Sequence, residues 1–184
     1  TLDEVHDNSQ TLADNDGTMA DVTLTRTLQT GSYNTFSVPF DIPADKYADY
    51  KLSGVKKLTS SAFDSSTGVL TLNFANESER IEAGKPYLVK WASGSDLVDD
   101  TAEKVHELDF NNVTITERVA GSWYANGVSF QGTFSSSEDL EANDKTKLVL
   151  GAGDRLYYPS ETINVGACRG YFILPSAAAQ TRAI

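Results

Sequence analysis

Apolar residues recur in this chain at every second position over short runs, and almost nowhere at helical spacing. In DVTLTRTL (21–28), Val22 and Leu24 fall on one face and Thr23 and Thr25 on the other. Successive side chains of a strand point to opposite faces, so such a run predicts a half-buried strand. GVLTLNF (68–74), NVTITERV (112–119), GVSFQGTF (127–134) and KLVL (147–150) alternate likewise or carry β-branched and aromatic residues. Turn signals separate them: DNDG, LQTGS, DSSTG, ASGSD, ANG and GAGD. Many short strands at this spacing predict an all-β, β-sandwich-like fold. The best helix candidate is short, PADKYADY (43–50), with Pro43 suited to a first helical turn. SEDLEANDK (137–145) offers at most one more turn.

One phrase is written twice. IEAGKPYLVKW (81–91) and INVGACRGYFIL (163–174) both run from Ile-x-x-Gly through a turn into an aromatic strand. The elements before them also recur in order: a threonine-rich strand, an aromatic strand, then a hairpin. This predicts two related β halves from a diverged internal duplication, 21–98 and 99–184, with a seam in ASGSDLVDDTAEK (92–104). Residues 1–20 form a polar lead-in, loosely packed unless another element pins it. Gly84 and Gly166 are expected at backbone turns. In PYLVKW, Tyr87, Val89 and Trp91 share one face and Leu88 and Lys90 the other. The phrase reads as structural, closing each half.

Composition excludes several function classes. A net charge of −11 with scattered Lys and Arg leaves no basic stripe for nucleic acid. The acidity reads as solubility. No apolar run approaches the ~20 residues that span a bilayer, so this segment is not expected to insert in a membrane. The single cysteine, Cys168, has no internal partner. At the start of an apolar strand it reads as a small buried hydrophobe rather than an activated thiolate. The first residues lack an initiator Met and an apolar signal segment, which reads as a mature or trimmed chain.

Catalytic and metal-binding motifs do not assemble. His6 and His106 are the two histidines. No HExxH or GxSxG accompanies them. Asp14, Asp16, Asp64, Asp99, Asp100, Asp139, Asp144 and Asp154 lie in turn signals, where carboxylates stabilise turns. DNDG (14–17) opens like a calcium loop, but position 12 of that loop is Thr25 rather than Glu. GAGD lacks the Lys-Ser/Thr of a phosphate-binding loop. No catalytic residue, metal ligand or cofactor is therefore assigned. Aromatic side chains remain, since an exposed ring can stack on a sugar face. Strand alternation favours packing for Trp91 and for one of Tyr157 and Tyr158. SWYANG (122–127) reads as a hairpin tip, which makes Trp123 and Tyr124 the leading ligand-contact candidates, with Trp91 third. Asp100-Thr101-Ala102 fits a short O-glycosylation pattern of exported proteins.

VTLTRTL, YNTFSVPFDI, GVLTLNF, IEAGKPYLVKW, VSFQGTF, DKTKLVLGAGDRLYYP and RGYFIL occur here in this order. From about Asp14 onward the chain resembles a β-rich module of large secreted or surface proteins of Bacteroides- and Prevotella-type bacteria, often accompanied by leucine-rich repeats. It departs from that pattern at Gly166-Ala167-Cys168, where an aromatic is expected. The resemblance implies export, an all-β fold and no enzymatic residues to carry over. The expected function is a non-enzymatic secreted or cell-surface module for display, spacing or adhesion. The alternative is a carbohydrate-binding module using loop aromatics. A third reading is a carbohydrate-active enzyme with unrecognised carboxylates. Expected partners are a host protein or glycan, and the isolated chain is expected to be a monomer.

Overall fold

The structure, a computed structural model, describes residues 1–92 and 104–175. Residues 93–103 of the expected seam, with Asp100-Thr101-Ala102, lie outside the described residues. The chain is all-β. A first sheet has the order β1 (Leu2–Asp3), β2 (Met19–Leu28), β9 (Lys104–Thr114), with β1 parallel to β2 and β9 antiparallel. A second has the order β3 (Tyr33–Phe36), β8 (Tyr87–Trp91), β5 (Leu52–Asp64), β6 (Val69–Asn76). A third has the order β10 (Ser122–Ala125), β11 (Val128–Gly132), β16 (Gly170–Ile173), β13 (Lys147–Gly151), β14 (Arg155–Tyr157). Two small pairs complete the set: β4 (Ile42–Pro43) with β7 (Arg80–Ile81), and β12 (Glu138–Leu140) with β15 (Ile163–Val165).

Alternation decides how these sheets stack. On β8, Tyr87, Val89 and Trp91 enter a core shared with Val22, Leu24, Leu28, Leu108 and Phe110 of the first sheet. Leu88, one step out of phase, enters a second core with Phe130, Leu148 and Phe172 of the third sheet. The middle sheet is thus covered on both faces, and β8 carries buried residues on both sides. A third, smaller cluster of Leu140, Val165 and Tyr171 lies on the far face of the third sheet. The aromatic strands are packed rather than displayed, with Phe130 stacked on Phe172 at 4.3 Å between ring centres.

The strand order repeats. The second sheet with its small pair reads β3-β8-β5-β6 and β4-β7; the third, inside its additional edge strand β10, reads β11-β16-β13-β14 with the pair β12-β15. Adding eight to each label of the first set gives the second. The backbone corrects the residue matching, however. Gly84 takes a left-handed φ of 75°, and its N–H donates to Val38 O. In the later half the left-handed turn residue is Cys168, φ 58°, whose N–H donates to Thr133 O. Gly166 does not occupy that position. The two phrases therefore correspond as Ala83-Gly84 to Ala167-Cys168, two residues away from the match that the shared Ile-x-x-Gly suggests.

The lead-in is pinned. Leu2 and Leu12 are buried, and Glu4 and Asn8 are buried too. Asn8 Nδ2 donates to Phe134 O (3.1 Å), and Ala167 N–H donates to Glu4 O (2.7 Å). Residues 9–14 form the one α-helix of the described residues, Ser9–Asp14, which holds Leu12 against the core. The expected helix at 43–50 is reduced to a 3-10 turn at Ala44–Lys46, because Pro43 already pairs with Arg80 as strand. In 137–145, Glu138–Leu140 is strand, paired with Ile163–Val165.

Candidate functional site

Strand parity explains the least expected residue of the interior. Val22, Leu24, Arg26 and Leu28 share the buried face of β2, and Arg26 has no solvent exposure. A buried guanidinium needs acceptors for its donors. Nη1 donates to Cys168 O (3.0 Å) and Nη2 to Thr35 O (3.1 Å). The cation also lies 5.8 Å from the Phe36 ring centre and 5.7 Å from that of Trp91. His106 sits cross-strand from Arg26, and burial, helped by the charge of Lys104, pulls its pKa down.

Next to this lies a second charged contact that ties the start of the chain to its last strand. Arg169 Nε donates to Glu4 Oε2 (2.8 Å), Nη2 approaches the same oxygen at 2.7 Å, and Nη2 also donates to Thr27 O (2.6 Å). The other carboxylate oxygen accepts from the backbone N–H and hydroxyl of Thr27. Burial pushes the Glu4 carboxyl up, but the Thr27 hydrogen bonds and the Arg169 charge outweigh it and hold Glu4 below the usual glutamate range. Both oxygens are already occupied by donors, so this carboxylate is a clasp rather than a base.

The clasp forms one wall of a cleft of about 400 Å³. Val5, Val149, Leu150, Ile163 and Val165 make its apolar sides. Cys168 lies beneath, fully buried, and burial pushes its thiol up to about 12. Such a thiol is no nucleophile at neutral pH. We expect Cys168 to resist a thiol reagent such as DTNB in the native protein and to react within seconds in guanidinium. Rapid labelling of the native chain would contradict the burial.

The three aromatics singled out from the sequence do not converge. Trp91 is 1% exposed and packs edge-on to Phe36 at 5.4 Å, so it offers no face to a ligand. Trp123 and Tyr124 do lie on a hairpin, β10–β11, but as neighbours on one strand they face opposite ways. Trp123 is half-buried against both main cores. Lys57 Nζ lies 4.7 Å and Lys85 Nζ 5.1 Å from its ring centre, and Tyr87 meets it edge-on at 6.0 Å. A sugar stacking there would compete with the chain's own ammonium groups. Its Nε1 is buried without a hydrogen-bond partner among the described residues. Tyr124 is 74% exposed and is the one candidate whose ring is open. His6 pairs with Asp3 at 3.3 Å on the surface. Among the described residues, no three His, Cys, Asp or Glu side chains gather as a metal site.

Glu4, Arg26 and Arg169 were not singled out from the sequence. Arg26 carried a signal, since it shares parity with Val22 and Leu24. Glu4 and Arg169 carried none, being 165 residues apart. No family model, curated protein or solved structure matches the chain.

Proposed function

We propose that this chain is a non-enzymatic β module of an exported or cell-surface protein, built from two related halves and serving display, spacing or adhesion. The observation that carries the reading is the clasp between Glu4 and Arg169. It joins the residue after β1 to the residue before β16, so two segments 165 residues apart are anchored in one another. Around it, Glu4 N–H donates to Thr25 O and Ala167 N–H to Glu4 O. The −11 charge keeps such a surface soluble.

Tyr124 supports a second reading, carbohydrate binding through one exposed ring on a hairpin. A glycan array of host and plant sugars, with tryptophan fluorescence as second readout, separates the two. The spacer reading expects no specific hit. A hit lost in Tyr124→Ala or Trp123→Ala, with melting temperature unchanged, would replace it with the sugar-binding reading. Location is tested by protease shaving of intact source cells, which should release peptides of this chain.

A further inference from the structure

We infer that the outer edge of β6 is a strand-addition site for an extended segment of a partner chain, apolar at alternate positions and basic or neutral between them. β6 ends the middle sheet, and among the described residues it pairs only with β5. Its eight residues, VLTLNFAN, include neither a charge nor a proline. Proteins normally blunt a sheet edge with charge, proline, brevity or cover. Other edges among the described residues use those devices. β9 carries Lys104, Glu107 and Asp109; β14 has three residues. β10 is covered by β5, where Ser61 Oγ donates to Ala125 O (2.7 Å) and Asn126 Nδ2 to Ser61 O (2.8 Å). Among the described residues, β6 has none of them over its full length.

The side chains of β6 define what would fit. Leu70, Leu72 and Phe74 are half-buried on the inner face, and Phe74 meets Phe130 at 6.4 Å and Phe172 at 6.0 Å. Thr71, Asn73 and Ala75 are exposed on the outer face. A strand paired with β6 continues both faces. Its inward positions cover the open flank of Leu70, Leu72 and Phe74 and must be apolar; its outward positions stand in water. Main-chain bonds supply affinity and the alternate side chains supply selectivity. The net charge of −11 selects the occupant. It repels a second copy and attracts a segment whose outward positions are lysine, arginine or neutral. The inference deepens the reading as an assembly module and rests on it for the source of the strand. A blank glycan array and a failed strand addition are separate results.

The test uses the full chain and a synthetic nine-residue peptide alternating Leu or Val with Lys and Thr. We expect it to bind and to slow amide hydrogen exchange at residues 69–76. A counterpart with Glu for Lys should bind at least about tenfold more weakly, a gap of about 1.4 kcal/mol. N-methylating one alternate set of peptide amides, the set facing β6, should abolish binding, while methylating the other set should leave it. Leu72→Lys places an inward charge at the edge and Thr71→Lys an outward one; both should lose binding while retaining a cooperative melt. No binding, equal effects of the two methylation sets, or protection elsewhere would overturn the proposal. So would a dimer of the wild-type chain that Leu72→Lys dissolves, which would give the edge to a second copy.

Discussion

Arg26→Met is expected to cost about 3–5 kcal/mol of folding stability, since it removes charge-assisted hydrogen bonds from a buried site, those to Cys168 O and Thr35 O among them. Methionine fills much of the volume but donates nothing. Thr35 O then loses the Arg26 donor inside the core, whereas Cys168 O keeps the N–H of Ser37 (3.2 Å). The contacts of the cation with the Phe36 and Trp91 rings go as well. For a domain of this size each kcal/mol moves the melting temperature by about 2–4 °C, so the midpoint should fall by roughly 10 °C. Arg26→Lys keeps the charge but not the planar fork that reaches both carbonyls, and should recover only part of the loss. A thermal melt of the three proteins reads this directly. If Arg26→Met melts with the wild type, the guanidinium contributes no net stability.

Glu4→Gln should be nearly as damaging, by about 2–4 kcal/mol at neutral pH, because it leaves Arg169 half-buried without its anion. Arg169→Met should cost a similar amount. The double variant should cost less than the two together by about 1–3 kcal/mol, which is the coupling of groups in contact. The pH dependence has a definite sign. Glu4 is held below the ordinary glutamate value of 4.5 in the folded chain. Its contribution is therefore complete above that value and drains away as pH falls through the lower folded pKa. Urea midpoints at pH 7, 5 and 3 should show a constant gap between wild type and Glu4→Gln at the first two and a narrowed one at the third. A gap that widens in acid would mean that Glu4 is held neutral.

The strands were legible because their alternation is a local property. β2, β6, β11 and β13 all fall where period-two runs occur, and the SWYANG hairpin falls on β10–β11, whereas NVTITERV (112–119) overlaps β9 only over 112–114. The two faces of β8 were also legible. What escaped was set by contacts far along the chain. Residues 1–20 look polar because Glu4 and Asn8 are polar, yet both are buried by partners at 134, 167 and 169. The eye accepts an arginine as exposed even when parity places it inward, as at Arg26. The Ile-x-x-Gly match misled because side-chain likeness outweighed backbone geometry; the left-handed residue at the second turn is a cysteine. Tyr124 keeps its place as a contact candidate by exposure, while Trp91 loses it by burial.

The clasp between residues 4 and 169 has a kinetic meaning. During synthesis Glu4 emerges early and can meet Thr27 soon after, yet its cationic partner Arg169 follows only 165 residues later. The acceptor of Arg26 at residue 168 arrives equally late. Closing such long loops precedes the contacts that reward it, which slows folding. The Glu4–Arg169 clasp and the Arg26 site therefore close only after residues 168 and 169 have left the ribosome, so these contacts belong to a late stage of folding.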